Sequence, residues 1–102
     1  MSERLRGATW DEWLDAYLLV YKRLPQSPEG VVCPQCGGND LNVRFIGRAA
    51  HRVGYALMWC ASTLEGIHIS QVDVPEGVDI LPLGTAIESA GIPNFRIIPP
   101  DS

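Results

Sequence analysis

Positive charge, histidine and long apolar runs are all scarce in this 102-residue sequence. Eight Lys and Arg stand against twelve Asp and Glu, a formal net charge of −4, which argues against generic attraction to nucleic acid or anionic membranes. That balance favours solubility and a basic partner. Two histidines leave no Ser-His-Asp arrangement to place, and no glycine-rich phosphate loop is present. The polar start, Met1 to Gly7, is followed by no apolar stretch of signal-peptide length. The most apolar run, Ala16 to Tyr21, is far too short to span a bilayer. The expected compartment is therefore the cytoplasm, with no membrane partner. Three cysteines are an odd number, which suits metal ligands or free thiols better than a disulfide framework.

What the chain does have is an ordinary apolar fraction of 46%, enough for one core. A chain of this length forms one domain, residues 1–102. Domains of this size are modestly stable, and a metal cross-link is a common remedy. The expected fold class is α+β: an N-terminal amphipathic helix on a small antiparallel sheet of three or four strands.

The helix is expected over 9–24. Thr9 and Glu12 have capping-box spacing, acidic residues lie at its start, and Lys22 and Arg23 lie at its end. Trp10, Trp13, Leu14, Tyr17, Val20, Tyr21 and Leu24 recur at three- and four-residue intervals. This stripe is expected to pack on the protein's own sheet. Its aromatic load also makes Trp10, Trp13, Tyr17 and Tyr21 the candidate interface residues, for a protein partner or a homodimer. Pro25 and Pro28 stop the helix, and 26–30 reads as a linker.

The sheet is expected over 31–74. Leu41, Val43 and Phe45 alternate with Asn42 and Arg44 as in a half-buried strand. Residues 47–52 read as a hairpin turn. Val53 to Cys60 is apolar on both faces, hence central. Ile67 and Ile69 begin a third strand whose parity slips towards Val72, placing a bulge or strand end near Gln71. The Pro/Gly-rich extension 75–102 offers Ile80, Leu81, Leu83 and Ile87 to cover one face. A short helix is expected around 85–90 and an edge strand over 95–98.

The chemistry lies in Cys33-Pro34-Gln35-Cys36-Gly37-Gly38 and in Cys60, 23 residues after Gly37. Two thiolates two residues apart grip one tetrahedral metal from a tight turn, and the intervening hairpin carries Cys60 back to the same end. From Val31 to Val74 this pattern resembles the zinc-ribbon family, with a rubredoxin-type Cys-x-x-Cys knuckle on either side of a β-hairpin. The resemblance implies Zn2+ on Cys33, Cys36, Cys60 and a fourth cysteine. Here the second knuckle is reduced to Cys60-Ala61-Ser62-Thr63, and a neutral hydroxyl is a poor partner to thiolates.

Three readings of the cysteines stay open. In one, zinc is held by the three thiolates with water, Asp40 or a partner's side chain as the fourth ligand. In another, the ribbon is a relic that folds without metal. In the third, Cys-Pro-Gln-Cys resembles a glutaredoxin-type redox motif, although Gly37-Gly38-Asn39-Asp40 is poor sequence for the helix that chemistry needs. His51 and His68 are too far along the strands to be ligands, and Glu65 is a weaker candidate than Asp40.

The favoured function is a non-enzymatic binding or regulatory protein acting through protein contacts. The alternative is a nucleic-acid-binding ribbon using Arg44, Arg48 and Arg52 on the hairpin, beside His51 and Phe45. A metal-dependent or thiol enzyme comes third, because no general base can be placed beside the cysteines.

Overall fold

The computed structural model describes residues 8–24, 30–85 and 91–100. Helix α1 spans Trp10–Arg23. The Thr9 amide donates to Glu12 Oε1 at 2.8 Å and the Glu12 amide donates to Thr9 Oγ1, so the capping box forms as its spacing requires. At the other end Leu24 is extended; a residue preceding proline is sterically barred from the helical region. The 26–29 part of the linker and the short helix expected near 85–90 fall largely outside the described residues.

Among the described residues five strands form one sheet: β1 Leu41–Arg48, β2 Val53–Cys60, β3 Glu65–Asp73, β4 Ile80–Pro82 and β5 Arg96–Ile97. Their order is β4-β1-β2-β3-β5. The arrangement is α+β, with the helix on the sheet. β1 pairs antiparallel with β2 from Arg48 opposite Val53 to Leu41 opposite Cys60, and β2 pairs antiparallel with β3. The edges correct the all-antiparallel expectation. β4 runs parallel to β1, and β5 runs parallel to β3. The chain after β3 turns back at Pro75 to Gly77 and reaches the far edge, so Ile80 and Leu81 enter a strand and extend the sheet. Parity does slip where expected: β2 and β3 shift register between Gly54 and Ala56, and Gln71 takes φ +58°, as a bulge demands.

The central position of β2 follows from its sequence, since both its faces are covered. On one face Trp13, Ala16, Tyr17 and Val20 of α1 close over Phe45, Ala56, Met58 and Ile67, with Cys33 and Cys60 in the same core. On the other face Ile46, Leu57 and Trp59 pack with Ile92, and Trp59 stacks on Phe95 with ring centroids 5.6 Å apart. The helix stripe thus packs on the protein's own sheet, as its periodicity implies. Trp13 and Tyr17 are buried in this core, which removes them from the expected interface, and Trp10 and Tyr21 are half-buried against it. The Tyr21 hydroxyl donates to the Asp73 carbonyl at 2.6 Å, tying the end of α1 to the end of β3.

Two predictions follow from the packing. Gly47 lies opposite Gly54, and a Cβ on Gly54 would overlap the backbone of Ile46 and Gly47. Backbone cannot step aside as a side chain can, so Gly54→Ala is expected to cost about 3 kcal/mol in denaturant unfolding. The Tyr17 hydroxyl is buried without a hydrogen-bond partner, and burial, reinforced by Tyr21, raises its pKa far above the ordinary phenol value. An unpaired buried hydroxyl destabilises; Tyr17→Phe should therefore raise stability by about 1 kcal/mol, read from the same melts.

Candidate metal centre

Two tight turns meet at one end of the sheet. The first, Cys33 to Gly37, precedes β1; the second, Cys60 to Leu64, joins β2 to β3. They have the same internal construction. The Gly37 amide donates to the Cys33 carbonyl at 2.8 Å, and the Leu64 amide donates to the Cys60 carbonyl at 2.8 Å. The fifth residue takes positive φ in both, +77° at Gly37 and +56° at Leu64. Each turn aims two amides at its first sulfur, those of Gln35 and Cys36 at Cys33 and those of Ser62 and Thr63 at Cys60. Gly37 adopts its conformation without strain. Leu64 does so against a cost of about 1–2 kcal/mol, which the surrounding bonds hold in place.

The pairing of Leu41 with Cys60 puts the turns side by side, and the Ala61 amide donates to the Asp40 carbonyl at 2.9 Å across the gap. The three sulfurs of Cys33, Cys36 and Cys60 lie within 4.8 Å of one another. Cys36 Sγ and Cys60 Sγ are 3.8 Å apart, too far for a disulfide, which needs about 2.05 Å; all three cysteines are free. Thiolates bound at about 2.3 Å to one tetrahedral ion stand about 3.8 Å from each other. The three cysteines are therefore placed to hold a metal ion.

Electrostatics differ between the thiols. Burial pushes the Cys33 thiol up to about 11, against the amides of Cys36 and Gln35 that favour its thiolate. At Cys60 burial acts in the same direction, but donors from Thr63, Ser62 and Cys33 outweigh it and lower its pKa below the ordinary thiol value. Amide hydrogen bonds favour thiolate over thiol, and a bound cation acts in the same sense on all three sulfurs.

The other candidates are engaged elsewhere. The Asp40 carboxylate accepts from the Ser62 hydroxyl and is not among the clustered ligand atoms. This corrects the expectation of Asp40 as fourth ligand: its neighbour in the second turn captures it. Glu65 pairs with Arg96 at 2.5 Å. His68 packs against Tyr55 with tilted rings whose centroids are 4.8 Å apart, and His51 is exposed in the turn at the opposite end of the hairpin. No histidine, aspartate or glutamate among the described residues joins the sulfur cluster.

Sequence reasoning treats Thr63 only as a missing cysteine. In the structure it holds the place in the second turn that Cys36 holds in the first, and its Oγ1 is buried with nothing among the described residues donating to its lone pairs. It lies against the Cys60 sulfur. With its proton facing that sulfur, the open side of the hydroxyl is its acceptor side. The Cys-x-x-Thr spacing was its signal in the sequence.

The basic hairpin is also revised. Arg52 has φ +51°, and its guanidinium donates to the carbonyls of Val74 at 3.3 Å and Val78 at 2.9 Å and to that of Pro75. It is a clasp between the hairpin and the segment after β3. Arg44 and Arg48 are left as the exposed pair, with Arg44 beside a shallow groove lined by Asn42, Trp59 and Ile92.

Comparison with known proteins finds no matching family, no matching curated protein and no matching solved structure. No helix among the described residues is long and apolar enough to cross a membrane.

The clasp makes a prediction. Arg52→Ala should cost about 1–3 kcal/mol in unfolding experiments by stranding carbonyls that a charged donor now satisfies. Arg48→Ala, an exposed change, should stay within about 0.5 kcal/mol of the parent.

Proposed function

We propose that this protein is a small, non-enzymatic binding module that acts through contacts with other proteins and whose sulfur-lined end is stabilised by a structural Zn2+ ion. The observation that carries the metal half is the matched pair of turns, which bring three sulfurs within 4.8 Å of one another, two of them 3.8 Å apart, while aiming amides at two of them. Thiolate-rich tetrahedral sites suit zinc. Both turns keep the same construction although the second has one sulfur fewer, which favours a working site over a relic. Within this reading the ion clamps the loop before β1 to the β2–β3 turn, supplementing a core of modest size.

The non-enzymatic half is supported by what surrounds the sulfurs. Cys33 and Cys60 belong to the hydrophobic core, and the one acid held against these turns, Asp40, is tied to the Ser62 hydroxyl and does not join the sulfur cluster. The outer face of α1 carries exposed Asp11, Glu12, Asp15, Leu18 and Leu19, an acidic and apolar surface that suits a basic protein partner. The runner-up, nucleic-acid binding through the hairpin, now has Arg44 and Arg48 as its remaining arginines.

The deciding measurement is metal content of the purified protein with thermal melts with and without a chelator. About one zinc per chain is expected, and its removal should lower Tm by about 10 °C or more. Binding should weaken as pH falls, because protons compete for the sulfurs. A metal-free protein with an unmoved melt would reject the zinc reading.

A further inference from the structure

We propose that the Thr63 hydroxyl is the fourth corner of the Cys33, Cys36 and Cys60 site, making it a three-sulfur, one-oxygen centre for a divalent cation. The inference rests on the metal reading above and adds the donor that the cysteine pattern leaves unassigned.

Three independent features support the assignment. The first is register within the turns. Thr63 follows Cys60 by the same three residues that separate Cys36 from Cys33, and both turns share the closing hydrogen bond and the positive φ at the next residue. The side chain that leaves the backbone at Thr63 therefore starts from the place where a second-knuckle ligand starts. The second is the hydroxyl itself: Oγ1 is buried, its proton faces the Cys60 sulfur, and nothing among the described residues donates to its lone pairs. Coordination to a cation satisfies its lone pair without any rearrangement of the turn. The third is the disposal of rival donors, since Asp40 is held by Ser62 and Glu65 by Arg96, and neither joins the cluster.

Charge gives this corner its chemical character. A dication with three thiolates carries a net charge of about −1, and a fourth thiolate would make it about −2 at a partly buried end of an already acidic chain. A neutral oxygen completes the tetrahedron without that added charge. It is also the weakest of the four donors, so the fourth corner is the exchangeable one, beside the exposed Cys36. An oxygen donor favours a borderline dication such as Zn2+ or Co2+ over Cu(I), which thiolates alone satisfy.

The test is a Co2+ titration of the reduced, metal-free, full-length chain followed by its visible and thiolate charge-transfer absorbance. The parent is compared with Thr63→Val, Thr63→Ser, Thr63→Cys and Asp40→Asn. The parent and Thr63→Ser should bind alike with tetrahedral bands. Thr63→Val keeps the shape and loses the oxygen, so it should bind about 10-fold more weakly with altered bands. Thr63→Cys should raise charge-transfer intensity by about one third, from three sulfurs to four, and tighten binding by about 10-fold or more. Asp40→Asn should match the parent. Parent-like bands and affinity in Thr63→Val would overturn the proposal, as would loss of affinity in Asp40→Asn alone. If the valine variant does not fold, the cysteine variant decides, and an unchanged sulfur intensity there rejects the placement of residue 63. Failure of the parent to bind either Co2+ or Zn2+ is a different result: it rejects the metal reading, and this assignment with it.

Discussion

The antiparallel pairing of β1 with β2 is the constraint on which the rest of the structure depends. Eight consecutive residue pairs run from the hairpin turn to Leu41 opposite Cys60. Because side chains alternate, a slip of one residue would exchange the two faces of both strands. It would take Phe45, Ala56, Met58 and Cys60 off the helix side and separate the two cysteine turns. The glycine pair Gly47 and Gly54 sits in this ladder where the two backbones approach too closely for any side chain. Register, core and sulfur cluster are thus consequences of one pairing.

The two faces of the sheet are closed by different means. Helix α1 covers one face with a stripe set by its own periodicity and fixed at each end by local chemistry, the Thr9 capping box and the bond from Tyr21 to Asp73. The opposite face is closed by the late segment carrying Ile92 and Phe95, which has little regular structure. Its Ile98 reaches the main core, while Arg96 and Ile97 pair with the edge of β3. Residues far apart in the chain therefore share the work of burying one strand, β2.

At the sulfur end the same economy of construction appears in the paired turns. Each one closes with one amide-to-carbonyl bond and points further amides at a sulfur. Leu64 accepts a left-handed backbone in the second turn where Gly37 does so freely in the first, so the shape is maintained even where the residue type opposes it. The Thr63 hydroxyl is likewise turned inward against the Cys60 sulfur although the residue itself is only half-buried.

Helix α1, the central place of β2, the bulge near Gln71 and the cysteine cluster were all legible from the sequence, because each is written in local periodicity, capping or spacing. Those signals act over a few residues, or over one hairpin whose length brings its ends together. The parallel edge strands β4 and β5 were not legible: a three-residue or two-residue strand has no period, and its partner is chosen by which edge the returning chain can reach. Arg52 read as a surface cation and became a clasp, because the carbonyls that hold it lie more than twenty residues away. Asp40 read as a ligand and was captured by Ser62, and Thr63 read as a gap and became a buried oxygen against a sulfur. The sequence by itself determined which residues are able to bind, cap or cross-link. Only the tertiary structure decided which of them meet, since hydrogen bonds and coordination depend on distances of a few ångströms that no spacing along the chain encodes.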